Sequence, residues 1–103
     1  MNLSKLMKQA QKMQEQMART QAELANRTVE VEAGGGRVRV TANGAGEVIA
    51  IKIDPEVVDP NDVAFLEELI LSGVKQAIEQ GKALAQSELA KITGGLNLPG
   101  LQA

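Results

Sequence analysis

The sequence predicts an α+β fold in the order α-β-β-β-α, a three-stranded antiparallel meander held between two long amphipathic helices. Three observations predict it. Apolar residues recur at three- and four-residue spacing over residues 3–24 and again over 63–89, the period of a helix. Between those stretches, β-branched residues alternate with polar ones in three short runs, the period of a half-buried strand. Glycine-containing turns separate the runs. At 103 residues the chain has the length of one small domain. That domain is placed at 1–93, followed by a flexible Gly/Pro-containing C-terminal tail over 94–103.

The first helix runs from Asn2 to about Asn26. Leu3, Leu6, Ala10, Met13, Met17, Thr20 and Leu24 form the seam of a coiled coil, a dimer or core surface. Good helix formers fill the other positions, and Asn2 or Ser4 can cap the start. The first strand, Thr28 to Ala33, sets Val29 and Val31 on one face and Glu30 and Glu32 on the other. Gly34-Gly35-Gly36 is a turn, and in Arg37 to Ala42 Val38 and Val40 again face away from Arg37 and Arg39. A four-residue loop over 33–36 pairs Glu32 with Arg37, Val31 with Val38 and Glu30 with Arg39. Asn43-Gly44 reads as a type I′ hairpin turn, which sets Ile49 of the third strand, Glu47 to Ile53, opposite Val38. In this register all the large β-branched side chains share one face, the core face.

Asp54-Pro55 ends the third strand, because proline has no N–H for a ladder. Asp59-Pro60-Asn61-Asp62 predicts a helix start with Asp59 at the N-cap and Pro60 in the first turn. Val63, Leu66, Ile70, Val74, Ala77, Ile78, Leu84 and Leu89 carry the period to about Thr93, where Gly94-Gly95 supplies a C-cap. Gly73 and Gly81 lie on or beside this stripe, although each costs a helix about 1 kcal/mol relative to Ala. Close approach of another backbone explains them. Size adds a further expectation. Three strands about 4.8 Å apart make a sheet roughly 15 Å wide, whereas the first helix is nearly 40 Å long at about 1.5 Å per residue. A seam that outruns its sheet predicts a partner, and the simplest partner is a second copy.

Composition removes whole classes of chemistry. There is no Cys, His, Trp or Tyr, and the one aromatic is Phe65. Zinc-type metal sites, cysteine nucleophiles, imidazole bases and disulfides go with them, as does an aromatic platform for single-stranded nucleic acid. Ser4, Ser72 and Ser87 have no base near them in sequence, so no enzyme is predicted, and no cofactor. The N-terminus lacks a signal-peptide core and no run is apolar enough to span a bilayer, which predicts a cytoplasmic protein without a membrane partner.

The net charge of −2 conceals an asymmetry. Residues 1–27 carry a net +3 and residues 54–103 a net −5. On a helical projection Lys5, Lys8, Lys12 and Arg19 fall within about 60° of one another, roughly 150° from the apolar seam. From pattern alone this stripe reads first as a solvated helix face. A polyanion site is the second reading and a membrane surface the third. A coiled-coil adaptor for a protein partner, docking on the Met-containing seam, is the competing class. Arg37 and Arg39 read as an ion-pair ladder with Glu32 and Glu30. Gly34-Gly35-Gly36 precedes a strand and lacks Lys-Ser/Thr, so it is a turn and not a phosphate loop. Asp54, Glu56, Asp59 and Asp62 lack calcium-loop spacing and read as caps and turns.

Four segments carry a resemblance: LSKLMKQAQKMQEQM, GGGRVRVTANGAGEVIAIKIDPEVVDP, DVAFLEEL and KITGGLNLPGL. In this order, nearly end to end, they resemble the YbaB/EbfC family of bacterial nucleoid-associated proteins. The resemblance implies a tweezer-like homodimer that binds double-stranded DNA, alters its conformation and contributes to nucleoid organisation and gene regulation. The family's basic first helix corresponds to Lys5, Lys8, Lys12 and Arg19. Only Lys75, Lys82 and Lys91 stand as cations in the second half, which points to the first helix. No groove-reading motif is visible, so binding is expected through phosphates and DNA shape. No small-molecule substrate is implied.

Overall fold

The Asn2 side chain starts the first helix by accepting the Ser4 N–H at 3.1 Å, and α1 then runs over Leu3–Leu24. The structure, a computed structural model, describes residues 2–94. The expected tail falls outside these residues except for Gly94. Strands β1 (Thr28–Ala33), β2 (Val38–Asn43) and β3 (Val48–Ile53) follow. A single 3₁₀ turn, Pro55–Val57, leads to α2 (Val63–Gly94), in which Gly94, expected as a cap, is helical. The sheet is antiparallel in the order β1-β2-β3, as the meander requires.

Both hairpins differ from the expected register. Across the first, Glu32 faces Arg39, Val31 faces Val40 and Ala33 faces Val38. Gly34, Gly35 and Gly36 all take positive φ (62°, 69° and 88°), and pairing resumes only at Val38. Arg37 therefore belongs to the turn. The slide is two residues, so every side chain keeps its face. At the second hairpin the type I′ turn at Asn43-Gly44 does not form. Gly46 carries the positive φ instead, at 80°. The loop is longer, and a bulge between Thr41 and Ala42 brings Val38 opposite Ile53 and Val40 opposite Ile51.

The start of α2 also moves. Asp62, not Asp59, is the cap: its carboxylate accepts the Phe65 N–H at 3.3 Å. Asp59 closes a local turn onto the Asn61 N–H at 2.9 Å, and Asp54 does the same for Glu56 at 3.0 Å. These carboxylates serve backbone donors, as their spacing suggested.

Helix α2 lies across β1 and β2. Ala33, Val38, Val40, Ala42 and Ala77 form the buried cluster, with Val29, Val31, Val48, Leu66, Leu69, Ile70 and Val74 packed half-buried around it. The two α2 glycines allow that approach. A Cβ on Gly73 would sit 2.8 Å from Val40 Cγ2, and one on Gly81 would collide with the Asn43 carbonyl oxygen.

Beyond the sheet α2 continues beside α1. Leu24 is buried and Met13, Met17 and Thr20 are half-buried, as are Leu84, Ala85, Glu88, Leu89 and Ile92. Both helices meet the sheet at the same turn, α1 through the Gly44 N–H bonded to the Leu24 carbonyl at 2.9 Å and α2 through Gly81. Since α1 runs towards this turn and α2 away from it, the two are antiparallel. Arg27 ties the junction to Glu88 at 3.0 Å, and Lys91 reaches the same carboxylate oxygen at 3.1 Å.

Hydrogen bonds from Arg27 and then Lys91 hold the Glu88 carboxyl below the usual carboxylate range. A depressed folded-state pKa contributes stability that is present above the unfolded value and lost as pH falls through the folded one. Glu88→Gln is therefore expected to be less stable than the parent at neutral pH and to converge with it below pH ~4. Urea unfolding at a series of pH values checks this.

Candidate nucleic-acid interface

Helix α1 has 22 residues and so extends about 33 Å. From Leu3 to Lys12 every residue is exposed, so the N-terminal half stands clear of the body. The molecule is 71 Å in its longest dimension and 28 Å in the next. One side of α1 is the seam, which packs on α2 from Met13 to Leu24 but leaves Leu3, Leu6 and Ala10 exposed. The seam is thus part core and part open surface.

The other side carries Lys5, Lys8, Lys12 and Arg19, all exposed. Among the described residues none of the four has a carboxylate within 4.0 Å. From Lys5 to Arg19 the stripe is about 21 Å long at 1.5 Å per residue. Glu15 and Glu23 share this face, each one turn from Arg19. The positive potential is therefore strongest over Lys5, Lys8 and Lys12, a grading that the cation spacing alone does not give. Arg27 is excluded from the stripe by its bond to Glu88.

The cations of the sheet behave differently from the expected ladder. Arg39 pairs with Glu32 at 3.6 Å, and neither Glu32–Arg37 nor Glu30–Arg39 forms. The observed register sets Arg39 opposite Lys52 and Glu30 opposite Thr41. The Arg37 carbonyl accepts the Asp54 N–H at 2.7 Å, so these two face each other at the end of the sheet. Cations and acids are balanced on this outer face, which makes it a weaker anion surface than the α1 stripe.

One feature is invisible to sequence periodicity. Ile51 and Ile53 of β3 share the core side of the sheet with their partners Val40 and Val38, whereas at the bulge Ile49 is left unpaired and Val48 takes the core position opposite Ala42; α2 does not reach over the three isoleucines. Ile49, Ile51 and Ile53 remain 54%, 44% and 37% exposed, so the expectation that this face is uniformly core is corrected. Leu69 of α2 abuts Gly34, at the β1 side, and Lys82 abuts Gly46, which precedes β3. The flank carrying Leu71, Val74, Ile78 and Lys82 at helical spacing therefore overlooks β3, with Leu71 55% exposed. An apolar strand beside a raised apolar helix flank forms an open step.

Among the described residues no three His, Cys, Asp or Glu side chains are grouped to hold a metal, and no helix is long and apolar enough to cross a membrane.

Comparison with known proteins agrees with this architecture. The family model described as the YbaB/EbfC DNA-binding family matches residues 1–96. A nucleoid-associated protein of Moorella thermoacetica is 57% identical over 99 residues, covering 96% of this chain and 95% of that relative. One from Pelotomaculum thermopropionicum is 50% identical over 100 residues, covering 97% and 95%. The crystal structure of an uncharacterized Helicobacter pylori protein superposes with a TM-score of 0.67 at 20% identity, covering 93% of this chain and 97% of that one. It shares the fold.

Proposed function

This chain belongs to the YbaB/EbfC DNA-binding family, and on that premise we propose that it binds duplex DNA as a homodimer in the cytoplasm, chiefly through phosphates, altering DNA conformation in nucleoid organisation and gene regulation. The observation that supports phosphate binding is the exposed stripe Lys5, Lys8, Lys12 and Arg19, unpaired among the described residues, on a helix that projects from an acidic body. Duplex DNA presents a charge about every 1.7 Å of axis, so a stripe about 20 Å long meets several phosphates. The acids of α2 and of the turn before it, Asp54 to Glu68, confine the anion to the arms by repulsion. Lysines projecting from a smooth helix give positioning contacts without base readout, so sequence preference comes from DNA shape and deformability. Lys12→Glu is expected to weaken binding to every duplex sequence alike, and Arg19→Glu to do so less, because Glu15 and Glu23 already flank Arg19. A mobility-shift titration on unrelated duplexes measures both.

The homodimer closes on the step between β3 and α2. A two-fold interface requires each copy to offer both halves of the contact. Here each offers a shelf, Ile49, Ile51 and Ile53, and a ridge that includes Leu71. The exposed strip is on the order of a few hundred Å², as large as the largest patch on a typical monomer. The core itself argues for a second copy. Val38 and Val40 are the largest fully buried side chains, a small core for a domain of this length. Ile51→Lys is expected to halve the mass seen by sedimentation at micromolar concentration, a loss of dimer affinity of roughly 100-fold or more from setting a charge in an apolar contact. An Ile51→Lys protein that stays dimeric would place the dimer surface elsewhere. A dimer that ignores DNA and captures a cytoplasmic protein through the α1 seam would favour the adaptor reading.

A further inference from the structure

The outer face of the sheet is balanced in charge as a whole and unbalanced at one end. The register sets Arg39 of β2 directly opposite Lys52 of β3. Such partners stand about 5 Å apart at Cβ, and like charges in that position are destabilising. Arg37 adds a third cation. Together the three line an open cleft of about 360 Å³, with Gly36, Ile53 and Asp54. The carboxylates nearby leave them largely free. Asp54 Oδ1 accepts the Glu56 N–H at 3.0 Å, which starts the 3₁₀ turn. Among the described residues neither Arg37 nor Lys52 has a carboxylate within 4.0 Å. Arg39 meets Glu32 at 3.6 Å, well beyond the about 2.7–2.9 Å of a charge-assisted hydrogen bond.

We propose that this cleft binds a compact oligophosphate, two or more linked phosphate groups, through Arg37, Arg39 and Lys52. Charge and size carry the assignment. A guanidinium offers phosphate oxygens a planar fork of donors, and an ammonium adds a point charge. Bringing an anion between Arg39 and Lys52 turns their mutual repulsion into shared attraction. The volume falls at the small end of the range for ligand sites, about 300–1,000 Å³, and suits a short phosphate chain rather than a duplex. Acids beside the cleft act in the same direction. Glu30 lines the next cleft along Arg39 and Lys52, and Glu56 the one beyond Arg37 and Asp54. A long polyanion meets these acids as well as the cations, within a Debye length of about 10 Å at 0.1 M salt. A compact anion is held where the cations converge.

Lys52 alternates with Ile51 and Ile53 along β3, so the site lies on the face opposite the proposed dimer contact and stays open in the dimer. This inference does not depend on DNA binding.

Inorganic triphosphate without divalent metal is the first probe, followed through the amide NMR spectrum of the full chain. Saturable shifts are expected to be largest over residues 36–39 and 52–54. Shifts confined to residues 5–12 overturn the proposal, since the anion then prefers the α1 stripe, and so does the absence of any saturable shift. Variants give a second measurement. Arg37→Gln/Lys52→Gln is expected to weaken triphosphate binding at least about tenfold in calorimetry, through the loss of two charge-assisted contacts. Lys5→Gln/Lys8→Gln/Lys12→Gln is expected to leave it nearly unchanged, and the reverse order overturns the site. All five side chains are exposed, so both variants are expected to keep the parent Tm without ligand. A nucleoside triphosphate distinguishes the source of the phosphates. Binding equal to or weaker than that of inorganic triphosphate assigns the site to a free phosphate chain, and tighter binding assigns it to a nucleotide.

Discussion

Gly81→Ala is expected to destabilise the protein by about 3 kcal/mol, the upper range for overpacking a well-packed site, and to lower Tm on the order of 15 °C. The sign opposes helix propensity, which favours Ala over Gly by about 1 kcal/mol in a helix interior. It follows from geometry: a Cβ on Gly81 collides with the Asn43 carbonyl oxygen. That oxygen is backbone and cannot rotate away, and it already accepts the Gly46 N–H at 3.0 Å. Accommodation would lift α2 from the turn and disturb the junction where α1, β2 and α2 meet. Gly94→Ala is the matched control. Among the described residues a Cβ there meets nothing within 4 Å, so propensity is the effect that acts and stability is expected to be unchanged or raised by up to about 1 kcal/mol. Thermal and urea unfolding of the two variants should move in opposite directions.

Asn43→Ala is expected to cost a similar amount, about 3 kcal/mol, by a different route. Asn43 is the one buried polar residue among those described, at 5% exposure. Its Oδ1 accepts the Ala45 and Glu47 N–H groups, both at 3.0 Å. Its Nδ2 donates to the Ala25 carbonyl at 3.2 Å and to Glu47 Oε1 at 3.1 Å. One side chain thus closes the β2–β3 loop and fastens the end of α1 to it. Alanine removes all four of these hydrogen bonds, each contributing about 0.5–1.5 kcal/mol net. The loss should also appear locally, as faster hydrogen exchange at the C-terminal end of α1. On the proposed role of the α1 cations, a loosened junction is also expected to weaken DNA binding without touching a single lysine.

Much of this architecture is legible in the residues, and the limits have physical causes. Periodicity separates the helices from the strands and assigns side chains a face except at the β3 bulge, where Val48 turns to the core, and the α2 glycines announce a close approach before its partner is known. Turn geometry is less legible. Three consecutive glycines accept positive φ at each position, so several loop lengths are sterically equal and the register can slide by two without moving any residue to the other face. At Asn43-Gly44 the local signal favours a two-residue turn, but the Asn43 side chain is engaged by Ala25, 18 residues away. Periodicity also says which way Ile51 points and not whether anything covers it. That depends on where a helix of fixed diameter comes to rest, and α2 is too narrow for three strands. The cationic stripe is local, so helical spacing reveals it. The withdrawal of Arg27 by Glu88 is a tertiary contact and is invisible in the sequence.

The proposed role rests on α1 phosphate contacts, and the salt dependence of duplex DNA binding tests it most directly. For a dimer neutralising about six phosphates, the slope of log K against log salt is expected near −5. The variant Lys5→Ala/Lys8→Ala/Lys12→Ala/Arg19→Ala, shown to remain dimeric by sedimentation, is expected to lose most of its affinity and to have a slope close to zero. A dimeric variant that keeps the parent affinity and slope would contradict the account.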